Sequence, residues 1–135
     1  MCYNHTFFMK INDILRKVIL VGIFLVPFIP LIIAPSLFFP FVTGKNFAFR
    51  IITEIILARW LILLFKDASY RPKKSWLLWA IVAFVSIIAL ADIFGANFSK
   101  SFWSNYERME GLITHLHLLA YFLVASSVLI TEKLW

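Results

Sequence analysis

The chain has 135 residues, 62% of them hydrophobic, 18% aromatic and 15% charged, with a mean hydropathy of +0.90. Soluble domains carry roughly 45–50% apolar and about 25% charged residues, so a free-standing cytosolic globule is all but excluded; disorder is excluded because it goes with few aromatic and branched side chains. The net charge of +6 does not point to nucleic acid, which needs a clustered basic face on a water-exposed domain, whereas most Lys and Arg here flank long apolar runs. Cys2 stands alone, so neither a disulfide framework nor a Cys-based zinc site can be built.

Residues 1–17 form an N-terminal segment. Within it, Phe7 to Lys17 is either an interfacial helix, with Phe7, Phe8, Ile11, Ile14 and Leu15 toward lipid and Lys10, Asp13 and Lys17 toward water, or a frayed, solvated end. Val18 to Val42 follows, 25 residues without a charge, enough for a helix to span a hydrocarbon core of roughly 30 Å. It is too long for the core of a cleaved signal and lacks a convincing small-x-small cleavage site. Pro27, Pro30, Pro35 and Pro40 each remove a backbone donor, so this span should kink, with its opened turns covered by neighbouring helices.

The second span, Phe47 to Phe65, is apolar except for Arg50, Glu54 and Arg59. The third runs from Trp76 to Ile93, ending near Asp92, and the fourth from Leu112 to Ile130, with His115 and His117 near its start. These lengths suit helices rather than barrel strands, and none shows the alternation a barrel wall demands. The expected fold is therefore an all-α polytopic transmembrane bundle in one unit, residues 18–135, with four spans at about 18–42, 47–65, 76–93 and 112–130.

Lys and Arg set the orientation. Lys10, Arg16, Lys17, Lys66, Arg71, Lys73, Lys74 and Lys133 fall on one side, against Lys45, Lys100 and Arg108 on the other. Both termini are thus expected in the cytoplasm, with Gly44–Asn46 and Gly95–Glu110 outside. Trp76, Trp79, Trp103 and Tyr106 suit interfacial anchoring.

Glu54 lies near the middle of span two, where a charge costs at least about 2.5–3.5 kcal/mol on insertion scales. Arg50 is four residues away on the same helix face, so an intramembrane ion pair, Arg50–Glu54, is geometrically available. It would either neutralise Glu54 and pin the helix inside the bundle, or line a polar cavity, headgroup site or transport pathway. In the outer loop Arg108 can grip a phosphate or diphosphate bidentately, with Trp103 and Tyr106 beside it for a sugar; the plainer alternative is an interfacial loop in which Arg108 pairs with Glu107 or Glu110. His115 and His117 are two apart, about 200° around a helix, and cannot share a metal on one face. No catalytic residue, metal site or cofactor is assigned from these patterns.

Two stretches, Phe39-Pro-Phe-Val-Thr-Gly-Lys-Asn-Phe-Ala-Phe-Arg50 and Ser101-Phe-Trp-Ser-Asn-Tyr-Glu-Arg-Met-Glu-Gly-Leu112, resemble the N-terminal part of bacterial O-antigen ligase-like (O-antigen ligase/polymerase) membrane proteins. The likeness covers roughly Phe39 to Leu129. It implies a multi-pass enzyme of the bacterial inner membrane that moves a glycan from an undecaprenyl-diphosphate carrier to a lipid or protein acceptor or a growing polysaccharide, without a metal. The family's large periplasmic loop and most of its spans have no counterpart in these residues. The chain is accordingly expected to be an N-terminal fragment, inactive alone. A small non-enzymatic four-helix subunit or scaffold, and a transporter module, are the alternatives.

Overall fold

The computed structural model describes residues 3–33, 42–104 and 110–129, with the side chains of residues 3–10 left aside. Pro35, Pro40, Tyr106, Arg108 and Lys133 lie outside the described residues, as does Ile130 at the expected end of span four. The described chain is all-helical, without a strand: α1 is Tyr3–Leu25, α2 Thr43–Lys66, α3 Trp76–Ile93, α4 Phe98–Trp103 and α5 Leu112–Val128. Two stretches are long and apolar enough to cross a membrane, Ile11–Leu31 and Trp76–Ile93; α5 is apolar but shorter.

Helix α1 passes straight through Phe7–Lys17 into the apolar run, since no Gly or Pro occurs between Phe7 and Gly22 to interrupt the helical ladder. The separate interfacial helix is thus absorbed into α1, and the apolar stretch begins at Ile11 rather than Val18. At Val26–Leu31 the α-helix tightens into a 3-10 helix that ends at extended Ile32. Pro27 explains the change: it has no N–H to return to the Ile23 carbonyl. Tyr121 on α5 supplies the missing donor, its hydroxyl donating to Ile23 O at 3.1 Å. The expected cover for an opened turn is therefore a single phenol from a neighbouring helix.

Helix α2 begins at Thr43, so Gly44–Asn46 form its first turn instead of a loop. Its 24 residues run unbroken past Arg50, Glu54 and Arg59. A short 3-10 turn at Ala68–Tyr70 follows, and Arg71 is extended at φ −71°, ψ 140°, as expected of a residue preceding a proline. Ser75 caps α3, its hydroxyl accepting from Leu78 N at 3.1 Å. Asn97 likewise caps α4, accepting from Lys100 N at 3.3 Å; this short helix sits inside the stretch expected as the outer loop. Ser104 closes α4 at φ 64°, ψ −175°, a region that strongly favours glycine.

The core is one cluster where three helices meet. Leu15, Ile19 and Ile23 come from α1, Ile56, Trp60 and Leu63 from α2, and Val124 and Val128 from α5, each set spaced three or four apart on one helical face. Gly22 lets α1 lie close on α2, because a Cβ there would collide with Ile56 Cγ2. Gly111 does the same for α4 and α5: a Cβ would strike the Phe102 carbonyl. Helix α3 packs on α5 and α4 and buries only Val85. Large apolar side chains consequently cover the outside, with Trp76 at 88%, Phe65 at 86% and Phe94 at 84% exposure.

Candidate functional site

Helices α2 and α5 run parallel, as the residues that meet across them show. Near the N-terminal end of the interface Arg50 Nη2 donates to Thr114 Oγ1 at 3.1 Å. One turn further along both helices, His117 Nε2 meets Glu54 Oε1 at 3.2 Å. Beyond that the contact turns apolar at Trp60, Leu63, Val124 and Val128. The interface thus has a polar end and a dry end.

The histidine's chemistry follows from its other nitrogen. His117 Nδ1 lies 2.7 Å from the Ile113 carbonyl, which can only accept, so Nδ1 carries a hydrogen. Nε2 then faces the Glu54 carboxyl as imidazolium to carboxylate or as imidazole to carboxylic acid. Either way the contact is a hydrogen bond only with a proton between the two atoms. The pair is half in and half out: the His117 side chain is 14% exposed and that of Glu54 68%.

Thr53, Glu54, Leu57, Leu116, His117 and Ala120 enclose a groove of about 160 Å³ beside this pair. Thr53 is fully buried, and its Oγ1 has no hydrogen-bond partner. The cleft is walled mainly by apolar surface of Leu57, Leu116 and Ala120, with the His117–Glu54 pair at its edge and the Thr53 hydroxyl sealed behind it. Among the described residues no group of three His, Cys, Asp or Glu comes together.

Arg50 and Glu54 do share a face of α2, one turn apart, as their spacing predicts. The carboxyl of Glu54 also contacts His117 across the interface, at 3.2 Å, while Arg50, on which the Glu54 charge acts, reaches Thr114. Both partners were hidden in sequence because they lie more than sixty positions away. His115 and His117 point apart as expected: the His115 ring lies 6.3 Å from that of Phe84 on α3, tilted by 59°. Of the residues expected to bind substrate, Trp103 is described; it is 56% exposed, with its ring edge-on to Phe102 at 5.3 Å. Arg108 and Tyr106 lie outside the described residues.

A second charged feature stands at the opposite end of α2. Ser69 N donates to Asp67 Oδ1 at 2.9 Å, and that bond, followed by the Ser69 side chain, holds the Asp67 carboxyl below its ordinary value of 3.8. Arg71, Lys73 and Lys74 follow, all exposed.

No family model, curated protein or solved structure matches the chain.

Proposed function

We propose that the chain is the N-terminal membrane region of an O-antigen ligase-like glycosyltransferase, which passes a glycan from an undecaprenyl-diphosphate carrier to a lipid or protein acceptor. In this reading four helices, α1, α2, α3 and α5, cross the bacterial inner membrane with both termini cytoplasmic. Helix α5 meets two of the charges of α2, with Thr114 on Arg50 and His117 on Glu54.

The observation that carries the reading is how the two family-like stretches meet. The first ends at Arg50, and Arg50 is hydrogen-bonded to Thr114, two residues past the end of the second. Gly111, in the second stretch, lies against the Phe102 carbonyl of the same stretch. Segments about fifty residues apart in sequence thus converge on one end of the bundle. With Trp103 exposed beside them, Arg108 and Tyr106 supply a guanidinium and a ring for a carrier diphosphate and its sugar.

A diazirine-bearing undecaprenyl-diphosphate glycan, photolysed in membranes containing the chain, tests this. Adducts should map to residues 95–110 and be competed by undecaprenyl diphosphate. Absent adducts, or adducts that the carrier does not compete, would refute it.

The outward-facing Glu54 favours a second reading, a non-enzymatic subunit of a larger membrane assembly. A carboxyl near the middle of a span is costly in lipid, and a partner helix laid over α2 would cover it. Capture of a specific membrane protein through α2, lost in Glu54→Leu while carrier crosslinking is absent, would select this alternative.

A further inference from the structure

The loop between α2 and α3 combines three features that point to one kind of ligand. The first is charge. Arg71, Lys73 and Lys74 lie within four residues and are exposed; among the described residues none of them is in an ion pair. The nearest carboxylate in sequence, Asp67, accepts from Ser69 N. The extended stretch that Pro72 enforces at Arg71 and the Ser75 cap hold these cations just before the first turn of α3, whose N-terminal dipole adds potential of the same sign.

The second feature is a groove of about 320 Å³ lined by Trp76, Trp79, Ala80 and Ala83. Positions 76, 79, 80 and 83 share one face of a helix. Two indole rings wall the groove and two methyls floor it, a shape that admits a flexible hydrocarbon chain. The third feature is register. From Trp76 to Ala83 is seven residues, or roughly 10 Å along the helix axis. The groove thus starts at the basic loop and runs most of the way through one leaflet, whose hydrocarbon is about 15 Å thick. Trp at this level is a common interfacial anchor.

We propose that this corner is a binding site for a single anionic phospholipid, with its phosphate on Arg71, Lys73 and Lys74 and one acyl chain in the Trp76–Ala83 groove. The inference rests on the membrane placement proposed above and is independent of the glycosyltransferase reading. Phosphate supplies the charge the three cations lack, and the acyl chain covers indole and alanine surface that the bundle leaves bare. A zwitterionic lipid satisfies the groove but adds no net charge; a soluble phosphate satisfies the cations but leaves the groove empty.

The test uses the full chain in bilayers of phosphatidylcholine with one-quarter phosphatidylglycerol, followed by native mass spectrometry of the detergent-released protein. One phosphatidylglycerol should be retained at least about tenfold over its share of the bilayer. Each cation near an anionic headgroup is worth about fivefold in affinity, so Arg71→Gln/Lys73→Gln/Lys74→Gln should bring retention to parity with phosphatidylcholine. Ala80→Leu/Ala83→Leu fills the groove at exposed positions and keeps every charge; it should lose the retained lipid while still inserting. Retention by the groove-filled variant at the parent's level would reduce the effect to diffuse surface charge and overturn the site. Unchanged selectivity in the charge-depleted variant would do the same. Failure of the chain to float with vesicles of either composition would instead refute the membrane placement on which the site depends.

Discussion

The Tyr121–Ile23 hydrogen bond gives the sharpest quantitative prediction. Pro27 leaves the Ile23 carbonyl without its helical donor, and the Tyr121 hydroxyl supplies one at 3.1 Å. Tyr121→Phe removes that oxygen and little else, because the ring keeps its edge-on contact with Phe49 at 6.1 Å. A buried acceptor left unsatisfied costs about 1–3 kcal/mol. Cross-helix hydrogen bonds in bilayers average about 0.6 and reach about 1.7 kcal/mol, so the expected loss is about 1–1.5 kcal/mol. The decisive arm is Pro27→Ala, which restores a backbone N–H four residues after Ile23. In that background Tyr121→Phe should cost less than about 0.5 kcal/mol, because the carbonyl has recovered a helical partner. Reversible unfolding of the four variants in mixed micelles, followed by tryptophan fluorescence, measures the cycle. Equal cost of Tyr121→Phe in both backgrounds would show that the hydroxyl does not stand in for the proline's missing donor.

The site and the topology yield further outcomes. His117→Phe and Glu54→Leu should couple by roughly 0.5–1 kcal/mol in a double-mutant cycle on stability, and more strongly than Arg50→Leu couples to Glu54→Leu; the reverse order would make Arg50 the main partner of Glu54. Gly22→Leu should destabilise by about 1–3 kcal/mol through overpacking and be partly rescued by Ile56→Ala, whereas no loss would mean that α1 and α2 do not approach there. Asp67 titrates lower in the folded chain than its ordinary 3.8. Its contribution is therefore complete above the unfolded value and disappears as pH falls through the folded one; Asp67→Ala should flatten that acid limb of an unfolding-versus-pH curve, and an unchanged limb would remove the role. Reporter fusions after Lys45 and Ser101 should be active outside the cytoplasm and those after Lys73 and Lys133 should not; the opposite pattern would invert the bundle.

Helix positions were largely legible, because apolar run length and flanking charge are local properties. Span three coincides with α3 at Trp76–Ile93, and Leu112 opens both the fourth expected span and α5. Misplaced edges have local causes that hydropathy does not register. Val18 looked like a beginning because Arg16 and Lys17 end the charges there, yet charged residues are good helix formers and α1 runs through them. Gly44–Asn46 looked like a turn, but the helical ladder starts at Thr43. Helix α4 rests on the Asn97 cap within a mixed aromatic stretch that carries no periodic signal. The site was half visible. Arg50 and Glu54 stood out as costly in an apolar run, but their partners are set by which helices become neighbours, and nothing near Arg50 in sequence singles out Thr114 or His117.

The distribution of polarity along the α2–α5 interface says more than any one contact. Toward their C-terminal ends the two helices meet mainly through Ile56, Trp60, Leu63, Val124 and Val128, with Trp60 Nε1 donating to the Tyr70 carbonyl and the buried Ser127 hydroxyl to Leu123 O. At their N-terminal ends the same two helices instead place a guanidinium on a hydroxyl and an imidazole on a carboxyl. A fully buried threonine beside them has no partner for its own hydroxyl. Cross-helix hydrogen bonds in lipid average about 0.6 kcal/mol, so the side-chain bonds that join α2 directly to α5, Arg50–Thr114 and His117–Glu54, add modestly to the hold between the helices, and both fall at the N-terminal end. In the proposed orientation that end lies toward the outer leaflet, on the side of Trp103 and Gly111. The dry end faces the basic loop on the cytoplasmic side. A glycan carrier handled at the outer face would meet the polar end first, whereas a helix bundle built only to anchor a neighbour would have no reason to keep its polar groups on that side.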